Sequence, residues 1–169
     1  MRTAGVVLAT ALALALQTTL ARFVVRGTLA VDLVIVVVVY AALTSGPTTG
    51  LLTGTFAGLV QDALSSGVIG IGWLAKTIVG FLAGIVGAQF IVVQPLPRFV
   101  VFFGATILHA AVFIGLYVLL DLRHFGTPYA AVIGQAVGNA VVGVLVFQVA
   151  ELLPGAMEKR RAARRWARR

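Results

Sequence analysis

The chain alternates long apolar runs with short polar punctuation. Stretches without any charged residue cover Thr3–Ala21, Leu33–Gln61, Thr77–Pro97, Phe99–Leu120 and Phe125–Ala150. Each matches or exceeds the roughly 20 apolar residues that cross a bilayer as a helix. Turn chemistry at SGPTTG, SSG, QPLPR and DLRHFGT divides them, with Gly46-Pro47 breaking the longest. The pattern predicts six spans, at about 3–21, 29–44, 48–64, 69–92, 99–120 and 128–153. The connections are short, so residues 1–153 are expected to form one compact all-α transmembrane bundle, followed by a basic tail over 154–169.

Composition agrees. The chain is 60% hydrophobic and 11% charged, against about a quarter charged in soluble domains, and its mean hydropathy is +1.07. Cysteine is absent and histidine occurs only at His109 and His124. That excludes a disulfide framework, a thiolate nucleophile and a cysteine-ligated metal, and leaves no expected cofactor. The net charge of +8 comes mostly from the tail, through Lys159, Arg160, Arg161, Arg164, Arg165, Arg168 and Arg169. A basic segment directly after a hydrophobic helix is expected to face anionic lipid rather than nucleic acid.

With six spans both termini share one side, which carries Arg2, Arg98 and the tail. The other side carries Arg22, Arg26 and Arg123. The positive-inside rule then makes both termini cytoplasmic. Arg2, an apolar run and TTLA outline a signal peptide, but further spans follow, so an uncleaved first helix is expected.

Five acidic residues occur in the chain. Asp32 opens the second span, and Asp62, in GLVQDALSSG, lies near the outer end of the third. Lys76 follows about two turns into the fourth. An intramembrane charge costs on the order of 2.5–3.5 kcal/mol even on lenient scales, so it is normally paired or turned inward. One reading pairs Lys76 with Asp62 or Asp32, fixing spans two to four, with Asp62 capping the end of span three. The other makes the three residues an outward-facing polar pocket for a ligand or a partner's backbone.

Glycines at four-residue spacing line faces of span three (Gly50, Gly54, Gly58), span four (Gly80, Gly84) and span six (Gly134, Gly138). Such faces allow close helix approach, within this bundle or with a partner's transmembrane helix. His109, Gln135 and Asn139 fall near mid-membrane as cross-helix hydrogen-bonding groups. No nucleophile motif, zinc motif, Walker loop or mid-membrane aspartate pair is present. Gly67, Gly70 and Gly72 only partly mimic a dinucleotide loop and follow no strand.

The segment from Val31 to Gly84 resembles the rod-shape-determining protein MreD family. Its features are Asp32 opening a helix, Tyr40 and small residues before a Gly46-Pro47 turn, the G-L-x-x-D of Gly58–Asp62, and an Ile-Gly step at Gly70. Val31 stands where the family commonly has proline. The resemblance implies a non-enzymatic subunit of the bacterial cell-elongation machinery in the inner membrane. It implies as partners an MreC-like single-span protein, a RodA-type glycosyltransferase with a class B penicillin-binding protein, and MreB filaments inside. The fold is also similar to the six-helix substrate-binding subunits of energy-coupling-factor vitamin transporters.

Three functions are therefore weighed. A scaffold needs small-residue faces and few functional charges. A transporter's capture subunit needs an outward pocket, with Asp32, Asp62 and Lys76 as its floor, and an alanine stripe on the first helix. Ala9, Ala11, Ala13 and Ala15 alternate by two and make no single stripe. An intramembrane enzyme lacks an acid–base or nucleophile pair.

Overall fold

The computed structural model describes residues 3–23, 31–65, 70–90, 92, 94–122 and 129–166; several side chains of the first helix, and those from 153 onward, lie outside the description. The described residues form six helices and no strand: α1 (Thr3–Phe23), α2 (Leu33–Ser45), α3 (Pro47–Leu64), α4 (Ile71–Gln89), α5 (Pro95–Leu119) and α6 (Tyr129–Trp166). Arg2, Arg26, Arg123, His124, Gly67, Arg168 and Arg169 fall outside the described residues, as do the side chains of Arg22 and the rest of the basic tail.

The helix boundaries follow local chemistry. Helix α2 begins later than the sequence pattern predicts, because the Asp32 side chain caps it by accepting from the N–H groups of Val34 and Ile35. Helices α3 and α5 both start on proline, at Pro47 and Pro95. A first-turn proline gives up no helical hydrogen bond, so QPLPR initiates α5 as well as separating it from α4. Helix α6 passes Pro154 and continues to Trp166, so most of the expected tail is helical.

Among the described residues three helices are long and apolar enough to cross a membrane: α4, α5 and the Tyr129–Leu152 part of α6. Helix α2 has 13 residues, about 20 Å at 1.5 Å per residue, against a hydrocarbon layer of about 30 Å. It is nonetheless the centre of the bundle and touches all five other helices. Val34, Ile35, Val36, Val38, Val39, Ala41 and Ala42 are all buried, as expected for a helix that is apolar all round.

The tightest pairing is α3 against α4. Glycine permits it: a Cβ on Gly58 would lie 2.6 Å from the Trp73 Cα, and one on Gly54 would lie 2.7 Å from the Lys76 carbonyl carbon. Gly50 faces Gly80, and Gly84 faces Pro47. Thr55 and Thr77 share a hydrogen bond of 3.1 Å across the same seam. These glycine faces are spent inside the bundle. Helix α6 differs, because a Cβ on Gly134 would meet nothing within 4 Å and one on Gly138 only Val31, at 3.0 Å. The expected small-residue seam on α6 is therefore not a tight internal contact.

Candidate functional site

The polar residues of the interior converge where α2, α4, α5 and α6 meet. At the start of α2 the Asp32 carboxylate does two jobs. Its Oδ1 accepts from Val34 N at 3.0 Å and Ile35 N at 3.2 Å, and its Oδ2 lies 3.4 Å from Lys76 Nζ on α4. Lys76 also contacts His109 Nε2 on α5, at 3.1 Å. An imidazole nitrogen facing an ammonium group must accept, which places the ring proton on Nδ1. The far face of the His109 ring stacks near Phe113.

A second arm runs from the backbone of the same residue. Asp32 N donates to Asn139 Oδ1 of α6 at 2.9 Å. Asn139 Nδ2 donates to Thr106 Oγ1 of α5 at 3.1 Å, and Thr106 donates to the Phe102 carbonyl. Asp32, Lys76, Thr106 and Asn139 are all buried, Asn139 completely. This chain ties together four helices that are far apart in sequence. Gln135 has no part in it.

Asp62 stands apart from that cluster. Its Oδ2 accepts from Gly70 N at 2.8 Å and Trp73 N at 3.0 Å. The carboxylate thus caps the N-terminus of α4, where helical N–H groups and the helix dipole favour a negative charge. Gly72 packs directly under it, and Gly70 adopts φ +112°, a left-handed conformation that glycine reaches without strain. Of the two partners expected for Lys76, Asp32 is the one it meets and Asp62 is not, and the Asp62 side chain caps α4 rather than the end of its own helix. Lys76 lies one helical turn past Trp73 and turns to Asp32, which leaves Asp62 to serve backbone donors.

A third polar group was counted in the sequence only as a loop cation. Arg98, in the first turn of α5, is buried. It makes a two-pronged ion pair with Glu151 of α6, with one N–H···O contact at 3.1 Å. Its Nε donates to the Val92 carbonyl, and its guanidinium lies 4.4 Å from the centre of the Phe147 ring. Such planar, two-pronged and stacked contacts suit arginine rather than lysine. Glu151, an acid at the end of an apolar run, was the available signal, but its partner is 53 positions away.

Chemically these are closed arrangements. Among the described residues no three His, Cys, Asp or Glu side chains are grouped to hold a metal ion. The Asp32 and Asn139 side chains and the Lys76 ammonium group are each directed at another part of the chain. Among the described residues, Asp32 and Lys76 face each other and Asp62 faces backbone N–H groups. A groove between α5 and α6, lined by seven residues, is apolar apart from Gln148.

The comparison with known families agrees with the buried motif residues. The family described as rod shape-determining protein MreD matches residues 1–154. No curated protein and no solved structure matches the chain. The match covers every helix up to the end of the apolar part of α6, and it includes the Asp32, Asp62 and Lys76 positions. A membrane protein with a role in determining rod shape follows: the chain belongs to the MreD family.

Proposed function

We propose that this protein is a non-enzymatic, six-span scaffold of the bacterial cell-elongation machinery, in the cytoplasmic membrane with both termini inside. On this reading it binds an MreC-like single-span protein and helps position a RodA-type glycosyltransferase with its class B penicillin-binding protein, with MreB filaments on the inner side. The family membership supports the process. The distribution of cations supports the orientation, since the end of α6 leads into the most basic segment of the chain.

The single observation that carries the scaffold over a transporter's capture subunit is the closure of the polar interior. Lys76 and Asp32 are 3% and 5% exposed and are directed at each other. A capture subunit would need such groups free to face a substrate. Here they act as cross-helix ties, which is what a rigid platform for partner helices requires.

The test is purification in mild detergent from native membranes, with mass spectrometry of proteins and small molecules. Recovery of a single-span coiled-coil protein with glycosyltransferase and transpeptidase partners is expected. Recovery of ATP-binding cassette subunits and a bound vitamin-like molecule would overturn the scaffold in favour of transport.

A further inference from the structure

Around α2 the other helices form an arc that does not close. In the order α1, α3, α4, α5, α6 each meets the next, and all five touch α2, but α1 and α6 do not meet among the described residues. Cylinders of equal width, about 10 Å for a helix, fit six around one, each taking about 60°. The four successive contacts therefore span about 240° from the axis of α1 to that of α6 and leave about 120°. One further helix fits that opening, and two do not.

The surface of α2 carries the same opening. Between Leu33 and Ala42 only Leu33, Val37 and Tyr40 are not buried, and exposed Thr44 continues their line. At about 100° per residue the four lie within about 60° of one another, along about 16 Å of the axis. On one side of this strip Val34 and Val38 cluster with Leu14 of α1. On the other the Tyr40 ring packs on Phe147 of α6, with centroids 4.6 Å apart. A Cβ on Gly138 of α6 would meet only Val31, just before α2, so that edge of α6 admits a close neighbour.

The geometry also separates the possible occupants. An acyl chain offers no acceptor to Tyr40, whose hydroxyl makes no hydrogen bond among the described residues; a helix offers side-chain hydroxyls and carbonyls. A helix of a second copy would leave that copy's own opening unfilled, so the contact would repeat from copy to copy as a ring or filament. A lone helix from a single-span chain closes the arc once. It meets α1, α2 and α6 around about half of its circumference, and van der Waals packing of this kind is what holds helices together in lipid.

We infer that the opening between α1 and α6 seats the transmembrane helix of a single-span partner against the Leu33–Thr44 strip of α2. This rests on the scaffold reading, which supplies such a partner, and adds the place where its helix lies. The full chain is produced in its native membranes with photoreactive benzoylphenylalanine in place of Val37, within the strip, or of Leu82, exposed on α4 across the bundle. After irradiation the adducts are purified and mapped by mass spectrometry. Position 37 is expected to form an adduct within the transmembrane helix of the single-span protein that co-purifies with the unaltered chain, and position 82 none with that helix. Thr44, at the exposed end of the strip, takes the photoreactive group should replacement of Val37 disturb folding.

Adducts with lipid alone at positions 37 and 44 would overturn the inference and make the opening a lipid-filled slot. Adducts with a helix of a second copy would overturn it in favour of self-association. A single-span protein that co-purifies but forms no adduct from the strip would remove the docking place and leave the scaffold standing. Absence of any single-span protein from the preparation of the unaltered chain would bring down the scaffold reading and this inference with it.

Discussion

Replacing Lys76 with methionine tests whether the central cluster holds the bundle together. The substitution keeps an unbranched side chain as far as Cε, with sulfur in place of Cδ, and removes the ammonium group. Asp32 then loses its ion-pair partner at 3.4 Å while remaining 5% exposed. Breaking a buried pair from one side costs about 3–5 kcal/mol in soluble proteins. An upper limit comes from neutralisation: protonating a carboxylate of reference pKa ~3.9 at pH 7 costs about 4 kcal/mol. Polar contacts in membrane bundles average less, about 0.6 kcal/mol with a maximum near 1.7, because the unfolded chain finds other partners. That smaller figure describes neutral hydrogen bonds; a stranded charge belongs nearer the upper limit. The expected loss is therefore about 3–4 kcal/mol, or roughly 10 °C in thermal unfolding of the detergent-solubilised protein at 2–4 °C per kcal/mol. Asp32→Asn alone keeps the helix cap, since asparagine caps as well as aspartate. Combined with Lys76→Met it leaves no charge stranded, so the double variant should be more stable than Lys76→Met alone. A double variant that loses the sum of the two single losses, or a Lys76→Met protein within 1 kcal/mol of the parent (~1, from the resolution of such assays), would refute the reasoning.

Three further outcomes follow from neighbouring contacts. Gly58→Ala puts a methyl group 2.6 Å from the Trp73 Cα and should cost about 1–3 kcal/mol by overpacking, whereas Gly134→Ala, with nothing within 4 Å, should be neutral or stabilising by up to ~1 kcal/mol; thermal unfolding of the pair checks both. Asp62→Ala removes the cap on α4 and should cost about 0.5–2 kcal/mol, with Asp62→Asn recovering most of it; combined with Lys76→Met the losses should add, because the two side chains share no contact. Glu151→Ala leaves the buried Arg98 without its carboxylate partner and should lower the midpoint of thermal unfolding; an unchanged midpoint would mean that the Arg98 guanidinium is satisfied by Val92 and Phe147 alone.

Much of the architecture was legible because membrane helices advertise themselves. Uninterrupted apolar runs and turn signals placed the six helices to within a few residues, apart from the starts of α2 and α5, each four residues off, and the end of α6. Proline lies at both later misses with different effects: Pro95 starts α5 where the pattern read only a stop, and α6 continues through Pro154. The glycine faces of α3 and α4 were legible as contact surfaces, because four-residue spacing has one geometric meaning. Their partner was not, since spacing carries no information about which helix lies opposite. The same limit explains Asp62. Sequence reasoning left Lys76 to pair with Asp62 or Asp32, and Asp32 is its partner; a carboxylate can be satisfied by backbone N–H groups, and a glycine-rich turn into a helix supplies Asp62 with two of them. Asn139 was read as a cross-helix hydrogen-bonding group without a named partner, and Thr106 was not singled out; the link from Asn139 to Asp32 spans 107 positions and leaves no local trace.

The arrangement of the three polar groups suggests why so few charges suffice. Apolar side chains gain little by leaving lipid for a protein interior, so burial alone does not choose among alternative packings of six apolar helices. Polar groups do choose, because each must find its own partner or remain costly. Asp62 fixes the turn from α3 into α4 locally. Arg98 and Glu151 join the start of α5 to the far part of α6. Asp32 locks the short central helix to α4 and α6 from a single residue, by its side chain and by its backbone N–H. Each tie removes a different alternative: a shifted α3–α4 register, a splayed α5–α6 hairpin, and a rotated α2. The glycine seam then sets how closely the tied helices approach. A bundle specified in this way can leave the outer faces of α5 and α6 apolar and open, and those are the surfaces on which lipid or a partner helix must be accommodated.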